Sequence, residues 1–173
     1  MIDNNLDRIV VNDKKVMDQV KENILKINEN SKVKIELQEK NILDTYELNS
    51  QIEKLENRKI WLKCGGFITI DKTEALTAID VNSGKFTGNK NLEATVLKVN
   101  KEASVEIAKQ LRLRDIGGII VIDYIDMFEE KSRQEVINIL KDNLKNDRAK
   151  VQVLEFTKLG LLEMTRKHMF SGE

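Results

Sequence analysis

The sequence predicts an α/β fold of mixed α+β character. Apolar residues recur at spacings of three and four from Leu92 to Leu113, the period of an amphipathic helix. Ile119 to Ile122 is an unbroken run of β-branched residues, which suits a sheet strand buried on both faces with a helix on each side. After Gly88 the order is helix, strand, helix, strand, which implies some parallel pairing.

Taken from the start, Ile9 to Val11 reads as a short strand, and Asp13 as the N-cap of a helix presenting Val16, Val20, Ile24 and Ile27 on one face. Val33, Ile35 and Leu37 alternate with polar residues at the period of a half-buried strand. Ser50 and Glu53 have the spacing of a capping box for a short helix through Leu55. From Ile60 the composition turns to β-formers: Ile60 to Leu62, Phe67 to Ile70 and Ala75 to Val81 predict a meander around Gly65–Gly66 and a polar turn. Asp115, Gly117 and Gly118 end the long helix. Ser132 and Glu135 form a second capping box, opening a helix with Val136, Ile139, Leu140 and Leu144 inward, and Val151 to Leu154 reads as a further strand.

The composition narrows the function classes. A hydrophobic content of 40% can supply a core, while 29 basic residues balance 29 acidic ones, so no global cationic field draws nucleic acid. Any contact with RNA must come from a local patch. Cys64 is the single cysteine, which excludes an intramolecular disulfide and a cysteine-rich zinc site and points to a reducing, cytoplasmic setting. The longest apolar runs fall far short of the roughly 20 residues of a bilayer span. Proline is absent, removing the easiest marker of a linker.

Two places carry candidate chemistry. Asp80, in Ala78-Ile79-Asp80-Val81-Asn82-Ser83-Gly84, and Asp123, in Val121-Ile122-Asp123-Tyr124-Ile125-Asp126, each lie at the end of an apolar strand. Ligands of open α/β sheets bind beyond the carboxyl ends of the strands, so two acids delivered there by neighbouring strands would converge. Such a pair suits Mg²⁺, which takes one or two carboxylates, keeps several waters and completes its shell with phosphate oxygen. On spacing alone, strand-terminal aspartates serve equally well to cap turns.

The wording of the motifs goes further. Gly65-Gly66, Thr73-Glu74-Ala75-Leu76, the Asp80 and Asp123 motifs, Gln110-Leu111-Arg112-Leu113-Arg114-Asp115 and Gly160-Leu161-Leu162-Glu163-Met164 occur in order. Together they closely resemble the ribonuclease E/G family over Gly65 to Arg166, and a weaker likeness extends from about Asp7 to Lys59. The resemblance implies a deoxyribonuclease-I-like catalytic subdomain over residues 60–173, preceded by part of a ribonuclease-H-like subdomain over residues 1–59. It implies Mg²⁺ held by Asp80 and Asp123, with Asn82 hydrogen-bonding near the scissile phosphate, and hydrolysis of single-stranded RNA to 5′-phosphate and 3′-hydroxyl ends. It also places the family's OB-fold RNA-binding domain and 5′-end sensor before this chain's start, and its zinc link after Arg166. A fragment or minimal form is therefore expected, with homo-oligomerisation compatible and a catalytically weak folding or RNA-interaction module as the alternative.

The remaining polar residues divide between chemistry and structure. Lys109, Arg112 and Arg114 are candidate phosphate contacts, although cations at a helix C-terminus also favour its dipole. Asp126, three residues beyond Asp123, falls on the opposite side of an extended strand and reads as a turn or supporting group. His168 reads as solvent-exposed, Cys64 as a buried small hydrophobe, and Lys158, Arg166 and Lys167 as a weak basic cluster. Trp61 and Phe67 have ring faces able to stack on bases. Aromatics inside strand patterns are usually core, and that is the expectation for both. With zero net charge, the chain should bind RNA weakly and with steep salt dependence. Filter binding across a salt series checks this, and nanomolar affinity at physiological salt would overturn it.

Overall fold

The computed structural model describes residues 6–27, 31–84 and 92–169, so Gly88 lies outside the described residues. The chain divides into two compact units, Met1–Lys54 and Leu55–Glu173.

The first unit is built on a βαβ crossover. Strand β1 (Arg8–Val11) pairs in parallel with β2 (Lys34–Leu37), and α1 (Lys14–Ile27) connects them. Parallel neighbours require such a crossover because a tight turn can only join antiparallel strands. Asp13 caps α1 as expected, its Oδ1 accepting the Val16 N–H at 2.9 Å. Of the apolar stripe on α1, Ile24 is buried whereas Val16 and Ile27 are exposed. Two short helices follow, α2 (Ile42–Thr45), capped by Asn41, and α3 (Leu48–Lys54). The Ser50 capping box does not form. Ser50 already lies inside α3 and its hydroxyl donates to the Glu47 carbonyl at 3.0 Å.

The second unit is a six-stranded mixed sheet with helices on one face. Its strands are β3 (Lys59–Trp61), β4 (Phe67–Lys72), β5 (Leu76–Asn82), β6 (Gly118–Asp123), β7 (Val151–Phe156) and β8 (Leu161–Arg166), in the order β3-β4-β5-β6-β8-β7. β5 and β6 form the parallel pair, joined by α4 (Leu92–Leu113), and the other ladders of this sheet are antiparallel. α5 (Glu130–Leu144) packs beside α4.

Burial alternates along the central strands. Ile68, Ile70, Ile79, Val81, Ile120, Ile122, Leu162 and Met164 face α4 and α5 and are buried, together with Val99, Ala103, Ile107, Leu111, Val136 and Leu140 from the helices. The opposite face is open. Ile119 is 54% exposed and Trp61 64%, which corrects the expectation of a doubly covered β6 and of a core Trp61. A continuous β-branched run fits one covered face as well as two, since branching favours the pleat and not a particular neighbour. The second capping box also fails, for Ser132 is a buried residue within α5. Glu93 of α4 takes over that capping: its carboxylate accepts the Phe128 and Glu129 N–H groups at 3.2 and 3.3 Å, just before α5 begins. Desolvation pushes its carboxyl up, but these two bonds, the Ser132 hydroxyl and the nearby Arg133 outweigh it and hold it below the usual carboxylate range. No helix among the described residues is long and apolar enough to cross a membrane.

At the edge where β6 begins and β8 ends, a buried ion group closes the fold. The Arg166 side chain is 2% exposed. It donates to Asp147 at 2.8 and 3.2 Å, to Asp115 at 2.9 Å and to the Ile116 carbonyl at 2.8 Å. One guanidinium thereby ties the end of α4, the loop after α5 and β8 together. Arg166 is thus a structural residue and not part of a surface basic cluster. Burial alone would push the Asp147 carboxyl up, yet the Arg166 hydrogen bonds and the Ala149 N–H hold it below the ordinary range. Its pairing therefore stabilises the fold above the usual carboxylate pKa, and that contribution is lost as pH falls through the depressed folded value. Arg166→Ala should cost about 3–5 kcal/mol at pH 7 by leaving a buried carboxylate unpaired. Urea unfolding at pH 7 and in acid checks this, with the gap between parent and variant narrowing in acid.

Candidate active site

The parallel ladder of β5 and β6 sets Asp80 directly opposite Asp123 as Cα partners. Paired residues share a face, so both carboxylates project onto the open side of the sheet near the strands' C-terminal ends. Sequence spacing left convergence conditional on the two strands being neighbours, and they are. A shallow cavity of about 300 Å³ is lined by Asp80, Asn82, Ser83, Asp123, Ile125 and Asp126. The Asn82 amide donates to the Asp80 carboxylate.

Asp126 joins this cavity as well, contrary to the alternation argument. β6 stops at Asp123, so strand alternation does not govern the next three residues, and Asp126 lines the same cavity as Asp123. Asp123 registers the crowding: burial pushes its carboxyl up, and the charges of Asp80 and Asp126 push it further. Among the described residues no ion pair joins Asp80, Asp123 or Asp126 to a lysine or arginine. Arg58, hydrogen-bonded to Asp71 at 2.6 Å, is a cation within electrostatic reach of Asp80.

Three devices hold the acids in place. Asn100, fully buried on the apolar stripe of α4, donates to the Ile125 carbonyl at 2.8 Å and accepts the Ile125 N–H at 3.2 Å. It thereby holds both backbone polar groups of Ile125, which lies between Asp123 and Asp126. One turn on, the buried Ser104 hydroxyl shares a 2.8 Å hydrogen bond with the Tyr124 hydroxyl, and burial pushes the Tyr124 phenol well above its usual range. Glycine supplies the third device. A Cβ on Gly66 would lie 2.7 Å from the Asn82 carbonyl, and one on Gly84 (φ +60°) would lie 2.6 Å from the Gly65 carbonyl. The Gly65–Gly66 turn can therefore lie against the Asn82–Gly84 segment only without side chains at these positions. The same turn is fastened to α4 by Glu102, whose carboxylate accepts the Lys63 and Cys64 N–H groups. Cys64 is half-buried and packs on the core.

Sequence reading missed Asn100 and Ser104. The available signal was a polar residue standing in a helical apolar stripe, four residues after Val96 and three before Ala103. The three cations proposed for RNA contact lie elsewhere. Asn100 is level with the acid-bearing loop, and Arg112 is twelve residues further along α4, about 18 Å at 1.5 Å per residue. There Lys109 pairs with Glu106 at 3.7 Å, Arg112 donates to the Asn143 carbonyl at 2.8 Å, and Arg114 to Gln110 at 2.8 Å and the Asn57 carbonyl at 2.9 Å. The structure does not bring these three to the acids. His168 is exposed at the far edge, its Nδ1 3.0 Å from the Asp115 carbonyl.

Two facing carboxylates, a third lining the same cavity and an amide lie together on the open side of the sheet. Among the described residues no group of three or more His, Cys, Asp or Glu is placed to hold a metal ion. The ladder pair supplies two carboxylates, and Mg²⁺ ordinarily takes one or two from a protein while keeping several waters. Comparison with known proteins then gives the lineage. The chain matches the Ribonuclease E/G family over residues 1–169 and belongs to that family. It is 48% identical over 126 residues to Ribonuclease G of Salmonella typhimurium (strain SL1344), covering 73% of this chain and 26% of that protein. It is 42% identical over 163 residues to Ribonuclease E of Haemophilus influenzae, covering 93% of this chain and 17% of that protein. The Ribonuclease G of the same organism is 42% identical over 168 residues, covering 96% of this chain and 34% of that protein. The chain thus spans about a third or less of the length of these relatives.

The crowded acids generate a stability prediction. Strands about 4.8 Å apart set two carboxylates close enough to repel by on the order of 1 kcal/mol in solvent-screened surroundings. The folded pKa of Asp123 lies above its unfolded value, so the native state is penalised once the pH rises through that folded value and is free of the penalty below the unfolded one. Asp123→Asn should therefore raise the melting temperature in chelator at pH 7 by a few degrees, with the gain vanishing toward about pH 3, below the unfolded value. Thermal unfolding at the two pH values checks it, and an equal gain at both would show that charge is not the cause.

Proposed function

We propose that this chain carries the Mg²⁺-dependent catalytic centre of an endoribonuclease, hydrolysing phosphodiesters of single-stranded RNA to 5′-phosphate and 3′-hydroxyl ends. The observation that carries the reading is the pairing of Asp80 with Asp123 across the parallel strands β5 and β6. In this reading residues 60–173 are the deoxyribonuclease-I-like catalytic subdomain and residues 1–59 part of a ribonuclease-H-like one. Family membership and the names of the relatives support the reaction class.

Asp80 and Asp123 would hold the metal through one carboxylate each, with Asp126 lining the same cavity. When bound, Mg²⁺ supplies Lewis-acid charge at the phosphate and lowers the pKa of water. The protein's own part is positioning. Asn82 presents an amide that can donate to a phosphate oxygen without adding negative charge, and its hydrogen bond to Asp80 fixes it beside the acids. Asn100 and Tyr124 keep the Asp123 loop from relaxing away from its like-charged neighbour.

Incubation with an unstructured RNA oligomer should give cleavage with Mg²⁺ and none with chelator. Asp80→Asn and Asp123→Asn should reduce cleavage to background, and Asn82→Ala by on the order of a hundredfold. Circular dichroism establishes that each variant is folded. Equal residual cleavage in all three variants would assign the activity to a contaminant and leave a non-catalytic folding or RNA-interaction module. Turnover of phosphomonoesters in preference to RNA would overturn the substrate class.

A further inference from the structure

The open face of the sheet carries an aromatic pair in line with Asn82, one row from Asp80. Two ladder rows cross β5, β4 and β3: Asp80–Thr69–Lys59 and Asn82–Phe67–Trp61. Residues paired in a ladder share a face, so Lys59, Trp61 and Phe67 stand on the side that bears Asp80 and Asn82. Trp61 is 64% exposed. Its ring meets Phe67 edge-on with centroids 5.3 Å apart. The Lys59 ammonium lies 4.1 Å from the Trp61 centroid and 3.6 Å from that of Phe67. Arg58, the residue before Lys59, is paired with Asp71 and its side chain is 68% exposed.

Exposure of one aromatic residue decides nothing, because single apolar residues on a surface are ordinary. The combination is more specific. Trp61 is fixed on a strand, backed by a second ring, flanked by the Lys59 ammonium and two strand spacings, about 10 Å, from β5, which carries Asp80. A single strand of RNA covers that distance within a nucleotide or two. The Lys59 charge matters because the acids themselves repel a polyanion, so neighbouring phosphates need a positive partner close by. We propose that Trp61, backed by Phe67 and flanked by Lys59, is a stacking subsite for an unpaired nucleobase of the RNA strand whose phosphate lies at Asp80 and Asp123. Every base presents a π-face, so the subsite selects single-strandedness and not sequence. This deepens the endoribonuclease reading and rests on it.

Trp61 is the single tryptophan of the chain, so its emission reports this place alone. The full chain is titrated in chelator at low ionic strength with an unstructured oligoribonucleotide, and separately with an abasic ribose-phosphate oligomer of the same length. Binding is followed in parallel by anisotropy of a labelled RNA. The base-bearing oligomer should quench Trp61 saturably and the abasic one should not. Trp61→Ala should weaken RNA binding about tenfold, Trp61→Phe should retain most of it, and Lys59→Gln should shift the quenching curve to higher RNA concentration. Equal quenching by both oligomers, RNA binding without quenching, or no RNA binding would overturn the subsite. So would emission that shifts with protein concentration in the absence of RNA, which would make the face an interface between copies. Failure of the cleavage reading is separable: base-dependent quenching without Mg²⁺-dependent cleavage supports the subsite and sinks the nuclease, whereas cleavage with an unchanged KM in Trp61→Ala sinks the subsite alone.

Discussion

The parallel pairing of β5 with β6 is the constraint on which the rest of the second unit depends. A parallel pair cannot be closed by a hairpin, so a crossover must run from the end of β5 back to the start of β6, and α4 is that crossover. Parallel register then does what an antiparallel ladder between these strands would not: it brings two C-terminal strand ends to one edge. Asp80 and Asp123 meet because the strands run the same way, and the crossover that makes this so also delivers Asn100 to the loop behind them. At 22 residues α4 is about 33 Å long, against about 23 Å for the seven residues of β5. Its basic C-terminal turns accordingly lie at the sheet edge remote from the acids, where Arg112 and Arg114 find backbone carbonyls.

The layering has a second consequence. Both helices cover one face, so the residues alternating with the core on β3 to β6 are left toward the opposite side. On a sheet covered twice, Asp80 and Trp61 would be buried. Here the half of the pattern that does not make core makes an accessible surface, and the acids sit on it as part of a continuous row.

Much of this was legible in the sequence. The strong periodicity of α4 gave its bounds to the residue, and the two acids stood out by their place at the ends of apolar strands and by their motif wording. What was not legible depended on partners remote in sequence. Ser132 and Glu135 have capping-box spacing, but Glu93, some 35 residues earlier, satisfies the N–H groups preceding α5. Asp126 was assigned to the wrong side because alternation holds only within a strand, and β6 ends three residues sooner. Arg166 sits beside Lys167 in the sequence and looks like surface charge until Asp115 and Asp147 are brought to it from 51 and 19 residues away. Trp61 is the converse case, an aromatic residue in a strand pattern whose strand covers nothing on that side.

The two edges of the sheet show the same residue type behaving in opposite ways. Near the start of β6, Asp147 is desolvated, yet a guanidinium reaches it with hydrogen bonds and its carboxyl is held low. At the end of β6, Asp123 is desolvated too, but the charges facing it are Asp80 and Asp126, and its carboxyl is pushed up. Burial acts in the same sense at both places; the sign is set by what the fold supplies opposite. One edge receives an internal cation and becomes a structural clamp. The other gathers like charges with no lysine or arginine paired to them among the described residues, held together by Asn100 and the Tyr124–Ser104 hydroxyl pair. That unbalanced charge, more than the count of carboxylates, is the physical ground for proposing this edge as a centre that takes a cation from outside the chain.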